Sequence, residues 1–279
     1  MNFINYNGEI LPAGQPVLTI ANRAFRYGDG LFESMRYLKG KLKYAELHAE
    51  RLQRGMAALK LDGYSKITAS FLIKKVEELL QRNSYGQNAR VRLTVYRDSD
   101  GLYSPSVNQF GYTIEMSKLD ESSYINTAKG LIVDVFDEVT KPVNTLANHK
   151  TCNSLVYVMA GIYRKQNSLD EVFILNNGGF LCEAMSANVF VVFKKKIYTP
   201  ALSEGCIAGV MRSVVMQLAK ENKIDVIEAQ INPDILNEAE EVFLTNASRG
   251  IQWVMGFNSK RYFNKVSNDL LTKLNKSIG

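Results

Sequence analysis

The sequence predicts an α/β (α+β) architecture in two domains. Three observations lead there. A chain of 279 residues, 46% apolar and 22% charged, is long enough to build two medium-sized cores and is ordinary in composition for a globular protein. Segments with an apolar period of two recur among segments with the helical period of 3.6, in both halves. Between the halves, residues 117–126 are polar and lack periodicity, as a linker does. The expected division is an N-terminal α/β domain at 1–117, a linker at 118–126 and a C-terminal α/β domain at 127–279. A ligand site is expected where the domains join.

The elements follow in order. Asn7-Gly8 suits a hairpin turn, because both central positions need positive φ. A strand is expected at 17–20. The turn Gly28-Asp29-Gly30 leads into a strand at 31–38, which Gly40 lets double back towards Leu42. Residues 45–59 are predicted helical: Leu47, Leu52, Met56 and Leu59 form a stripe, with His48 and Arg51 beside it. A second helix is expected at 66–81 with Ser65 as N-cap, then strands at 89–97 and 110–116. In the second half, strands are expected at 131–136, 171–175, 188–193, 223–228 and 241–245. Helices are expected at 151–165 and 209–221, and a turn at Asn177-Gly178-Gly179.

The net charge of +6 comes from scattered Lys and Arg, which reads as a solvated surface and not as a nucleic-acid footprint. Cys152, Cys182 and Cys206 are far apart, odd in number and form no C-x-x-C. With only His48 and His149 to join them, neither a disulfide scaffold nor a metal site is expected. The opening residues lack the features of a signal peptide, and the apolar runs are too short to span a bilayer. The reading is a cytoplasmic protein with no membrane or nucleic-acid partner.

Lys150 follows a loop at 143–149 and precedes an apolar helical pattern carrying Leu155, Val156 and Met159. An amine placed there can point into a poorly solvated cleft, where desolvation supplies the neutral form that a Schiff base requires. The alternative is an ordinary surface lysine. Glu183 lies among apolar residues with Ser186 and Asn188 close by, a poor place for an unpaired charge. Its natural partner is a protonated pyridinium nitrogen; the plainer reading is a solvated turn carboxylate. Gly205-Cys206-Ile207-Ala208-Gly209-Val210-Met211-Arg212 reads as a loop feeding a helix, whose N-terminal amides favour a phosphate dianion. Arg51 can complete that cup, although an exposed ion pair is the usual role of such an arginine.

Together these residues resemble the class IV, or fold type IV, pyridoxal 5′-phosphate (PLP)-dependent aminotransferases. The motifs run in the family's order. Arg23-Ala24-Phe25-Arg26-Tyr27-Gly28-Asp29-Gly30-Leu31-Phe32-Glu33 comes first, then His48-Ala49-Glu50-Arg51-Leu52, then Lys150. Glu183 with Asn188-Val189-Phe190, the 199–212 loop and Glu241-Val242-Phe243-Leu244-Thr245-Asn246 follow. The resemblance implies a two-domain, D-amino-acid-aminotransferase-like fold and a homodimer whose loops close the partner's pocket. Lys150 would carry PLP as an aldimine and shuttle the proton between Cα and C4′. Glu183 would pair with the pyridine nitrogen, and Arg51 would bind phosphate with the backbone amides of Val210 and Met211. Asn188 joins the cofactor-binding set, and Phe32 and Arg36 would face the substrate.

The departures limit the substrate assignment. Ala247 stands where relatives carry a phosphate-contacting Ser or Thr; Ser248 follows and is the expected replacement. Leu155 stands where branched-chain aminotransferases carry Tyr, as in the D-amino-acid and lyase branches. The lyase branch shows R-G-x-x-x-R-G-Y after the strand that ends at Arg97, and D-alanine aminotransferase an Arg and a His. Here Asp98-Ser99-Asp100-Gly101-Leu102-Tyr103-Ser104-Pro105 has neither a second Arg nor a His. Arg92 and Arg90 are the alternative carboxylate ligands. The leading expectation is transfer of an amino group between an amino acid and a 2-oxo acid. The runner-up is 4-amino-4-deoxychorismate lyase, eliminating pyruvate; a catalytically inactive PLP-fold protein is the third. Donor, acceptor and L or D preference stay open.

Overall fold

The computed structural model describes residues 2–278. They form two compact units, Met1–Ser122 with His149–Ser154, and Ser123–Asn148 with Leu155–Gly279.

In the first unit, β1 (Phe3–Tyr6) and β2 (Glu9–Pro12) flank Asn7 and Gly8, both at positive φ as a tight hairpin requires. Next comes α1 (Arg23–Tyr27). The Asn22 side chain caps it by accepting from the Ala24 and Phe25 amides, and left-handed Gly28 ends it. The strands β3 (Gly30–Leu38) and β4 (Lys41–Leu42) precede the helices α2 (Ala45–Ala58) and α3 (Ala69–Asn83). The strands β5 (Ala89–Arg97) and β6 (Phe110–Lys118) follow. The strands form an antiparallel sheet in the order β2-β1-β6-β5-β3-β4.

Alternation along β3 sorts its side chains onto two faces. Leu31 and Met35 join a core with Leu52 and Met56 of α2 and with Leu72 and Val76 of α3. Phe32, Ser34 and Arg36 occupy the other face, registered against Thr94, Arg92 and Arg90 of β5.

The segment around Lys150 is clipped to the start of β3. The Phe32 N–H donates to the Lys150 carbonyl (2.9 Å), the Cys152 N–H donates to the Gly30 carbonyl (2.8 Å), and Thr151 bridges Leu31. Residues 149–154 therefore cluster with the first unit, not with the 127–279 segment in which the sequence pattern places Lys150.

The second unit contains β7 (Leu131–Lys141), α4 (Leu155–Gln166), β8 (Glu171–Asn176), β9 (Leu181–Ala184), β10 (Asn188–Phe193) and β11 (Lys196–Pro200). It continues with α5 (Val210–Glu221), β12 (Val226–Ala229), α6 (Ile235–Glu238), β13 (Glu241–Asn246), β14 (Gly250–Phe257), β15 (Lys260–Arg261) and α7 (Lys265–Ser277). The sheet is mixed, in the order β12-β11-β10-β13-β14-β7-β8-β9, with β15 paired to β14. Its central strands are buried along nearly their whole length, as continuous apolar runs such as Val189–Val192 demand.

Several expectations need correction. Residues 17–20 form no strand; they follow Pro16, which has no N–H to give a ladder, and Leu18 and Ile20 stand exposed. The helix expected at 66–81 starts at Ala69, because Tyr64–Lys66 forms a 3₁₀ turn and Thr68, not Ser65, is the cap. The helix expected from Thr151 starts at Leu155, because residues 150–152 are held extended on β3. The strand expected at 223–228 shortens to β12, with Lys223 left-handed at φ 57°.

Thr68 Oγ1 accepts from the Phe71 amide at 3.1 Å. Thr68→Ala is expected to cost about 1 kcal/mol in urea unfolding, whereas Ser65→Ala is expected to change nothing measurable.

Candidate active site

Within the first unit, Lys150 is half-buried and its Nζ lies 4.3 Å from the centroid of the Phe32 ring. The clip to β3 explains this: it fixes the Lys150 backbone one hydrogen bond from Phe32. The Arg92 guanidinium lies 4.0 Å from the same ring and its Nε 3.5 Å from Glu115. Phe32, Ser34, Arg36, Arg90 and Arg92 share one sheet face by register. Arg36 stands directly opposite Arg90, and Glu115 opposite Arg92. Like charges directly opposite are unfavourable in a sheet, so this face is suited to an anion. Arg36 is buried, Arg92 half-buried and Arg90 exposed. The loop after Arg97 is held by other means. Arg23 donates to the carbonyls of Gly101 and Leu102, and Arg23 and Arg97 both bind Asp29, at 2.8 and 2.9 Å. Leu102 and Tyr103 are exposed at its tip.

On the opposite face of β3, Glu33 is buried and accepts from Arg51 Nε (2.8 Å) and Nη2, and bonds His48 Nδ1 (2.6 Å). Its two partners sit on α2 one helical turn apart. Burial alone pushes the Glu33 carboxyl up, but Arg51 and His48 overcome that and hold it down at about 2. Burial pushes the His48 imidazole down despite Glu33, so it is neutral at neutral pH. Arg51 is thus fixed by a carboxylate to which the motifs alone give no role. The signal is present in the sequence: Glu33 is a charge in the inward phase of an otherwise apolar strand, Leu31-Glu33-Met35-Tyr37.

In the second unit, Glu183 on β9 is buried. Its Oε1 accepts from Lys141 Nζ and the Tyr157 hydroxyl (2.7 Å), and its Oε2 from the Ile207 amide (2.9 Å). Asn188 is buried, donates from Nδ2 to the Ile207 carbonyl (2.8 Å), and sets its Oδ1 against Gly209. A Cβ on Gly209 would fall 1.9 Å from that oxygen, so any larger residue here would displace the Asn188 amide. Gly209 is also the N-cap of α5 and supplies no side-chain cap for the turn that begins at Val210 and Met211. Beside Asn188 in the sheet, Thr245 is buried and its hydroxyl has no hydrogen-bond partner among the described residues. Ala247 and Ser248 are half-buried in the turn after β13, where the Tyr124 hydroxyl donates to the Ala247 carbonyl (3.2 Å).

The sequence profile of the amino-transferase class IV family matches residues 30–255. The chain belongs to that family. A D-alanine aminotransferase of Bacillus licheniformis is 24% identical over 247 residues, 87% of this chain and 84% of its own. An aminodeoxychorismate lyase of Vibrio harveyi is 25% identical over 248 residues, 88% of this chain and 89% of its own. The crystal structure of a branched-chain aminotransferase from Thermoproteus uzoniensis with norvaline superposes at a TM-score of 0.87 with 22% identity. It covers 99% of this chain and 94% of that one, and the likeness establishes the fold type IV architecture. Class IV enzymes are PLP-dependent, and this chain is one of them. The residues present suit the cofactor: a buried carboxylate for a ring nitrogen, a helix N-terminus without a side-chain cap for a phosphate, and a half-buried lysine.

Both Glu33 and His48 hold protons less tightly in the folded chain than in the unfolded one, so acid destabilises the fold. The His48 contribution is full above its ordinary 6.5 and is lost as pH falls below it. The Glu33 contribution is full above 4.5 and is lost between 4.5 and about 2. Thermal unfolding midpoints should therefore fall in two stages, and His48→Gln should reduce the first stage, to which the half-buried His149 also contributes because burial pushes its imidazole down, and leave the second. An identical acid profile in that variant would contradict the burial of a neutral His48.

Proposed function

We propose that the chain is a PLP-dependent aminotransferase moving an amino group between an amino acid and a 2-oxo acid. The observation that carries this is the placement of the Lys150 amine against Phe32, on the sheet face that bears Arg36, Arg90 and Arg92. That face joins a nucleophile to a binding surface for carboxylates, which both substrates possess.

Bound PLP supplies an electron sink for the charge left at the amino acid's Cα. The chain's residues do the rest. Lys150 carries the cofactor and moves the proton between Cα and C4′. Glu183 holds the ring nitrogen. Arg51, fixed by Glu33, the amides of Val210 and Met211, and Ser248 hold the phosphate, with Ser248 serving for the hydroxyl that Ala247 lacks. Asn188 supports this set by fixing the Ile207 carbonyl against the start of α5. Arg36, Arg90 and Arg92 orient the substrate carboxylate.

The second reading is the lyase, which the Vibrio harveyi relative supports and the absence of a second arginine in the 98–105 loop opposes. A half-reaction screen separates the two. With amino donors alone, the lysine-bound cofactor band near the violet should be lost, and a 2-oxo acid should restore it. Pyruvate released from aminodeoxychorismate without any amino acceptor would favour the lyase and sink the transferase-only reading.

The working form is a homodimer. Leu155, Val158, Met159 and Ile162 lie at the i, i+3, i+4, i+7 positions of α4, and all are exposed. An apolar stripe of this kind is suited to a second copy. The free thiols of Cys152, Cys182 and Cys206 accord with a reducing, cytoplasmic compartment. Light scattering should give twice the 31.4 kDa chain mass, and Val158→Asp with Ile162→Asp should reduce it to a monomer. A wild-type monomer would contradict the assignment.

A further inference from the structure

Glu183 meets three donors from three separate elements. Lys141 comes from the end of β7, Tyr157 from the first turn of α4, and the Ile207 amide from the loop before α5. Lys141 is itself buried, and its Nζ also lies 5.5 Å from the centroid of the Tyr157 ring. Its backbone is fixed by pairing with Asn176 on β8 and by accepting from the Asn177 amide at 3.1 Å. A carboxylate offers about four lone-pair sites, so three donors leave room for one more. Nearby titratable groups do not share the charge. Burial pushes the Cys182 and Cys206 thiols up, Cys206 to about 12, and pushes the Tyr157 phenol further up, so all three stay protonated at neutral pH.

We infer that Lys141 and Tyr157 are positioning residues for Glu183, with Lys141 as its resident counter-ion, and that they hold its carboxylate oriented before the cofactor arrives. Taking a carboxylate out of water is unfavourable unless its charge is compensated where it is buried. Lys141 supplies that compensation from a strand end that cannot move without breaking the β7–β8 pairing. Tyr157 fixes the second direction at the same oxygen. The consequence rests on the cofactor reading of Glu183: the ring nitrogen meets a preset anion and joins as the fourth donor. Without Lys141, the buried Glu183 carboxylate loses its counter-ion and one of the two donors that orient Oε1, and it meets the ring nitrogen less well placed.

The test is a double-mutant cycle on Lys141→Met and Glu183→Gln, with Lys141→Arg as the conservative variant, read on two properties. In the cofactor-free protein, Lys141→Met should lower the thermal midpoint by about 10 °C, since it strands a buried charge. Lys141→Arg should keep most of the stability, and the double variant should regain most of the loss, since both charges are gone. In the second arm, equilibrium dialysis against PLP, Lys141→Met should weaken binding about tenfold in the wild-type background and leave it unchanged in the Glu183→Gln background. Additive losses in either arm would overturn the inference, because Lys141 would then act independently of Glu183. If Glu183→Gln alone bound PLP as tightly as the wild type, the ring-nitrogen reading would fail, and the unfolding arm would still decide the Lys141–Glu183 pairing.

Discussion

Two backbone hydrogen bonds organise the chemistry of the first unit: Phe32 N–H to the Lys150 carbonyl, and Cys152 N–H to the Gly30 carbonyl. They turn a segment distant in sequence into a short extension of the sheet beside β3. A side chain on a strand has its face chosen by the strand's period, so this register dictates what Lys150 meets. It meets Phe32, and beyond Phe32 the arginines of β5. The same alternation places Glu33, one residue along, on the helix side, where it captures Arg51 and His48. A slip of one residue in β3 would exchange the two faces and dismantle both arrangements at once.

Each unit also buries a carboxylate, and both solve the desolvation problem in the same way. Glu33 and Glu183 are each surrounded by donors from other elements, at least one of them a cation. Such groups contribute little net stability compared with an apolar core, yet losing one partner strands the other. They therefore act as locks on geometry more than as glue. Glu33 locks a guanidinium, and Glu183 is itself the locked group.

Much of this is legible in the sequence, for identifiable reasons. The strands β5 and β10 have the predicted bounds, because alternating or continuous apolar runs with clear ends leave little choice. The helix α2 is readable from its stripe. Short elements are not: α1 is only five residues long and depends on Asn22 and Gly28 for its two ends. The start of α4 departs from the pattern because Thr151-Cys152-Asn153-Ser154 are weak helix formers and residues 150–152 are hydrogen-bonded to a strand more than a hundred residues away. Among the candidate functional residues, Lys150, Arg51 and Glu183 stand out because motifs surround them. Lys141 and Tyr157 do not, since a lysine at a strand end and a tyrosine on a helix look like surface and core. Only the fold brings them to Glu183, across 42 and 26 residues.

The central claim is that Lys150, and not the buried amine of Lys141, carries the cofactor. The most direct measurement is borohydride reduction of the PLP-loaded protein followed by peptide mass mapping. A stable phosphopyridoxyl group is expected on the peptide containing Lys150, and none in Lys150→Ala. A group on Lys141 in the wild type, or a protein that binds PLP with no lysine modified, would contradict that claim.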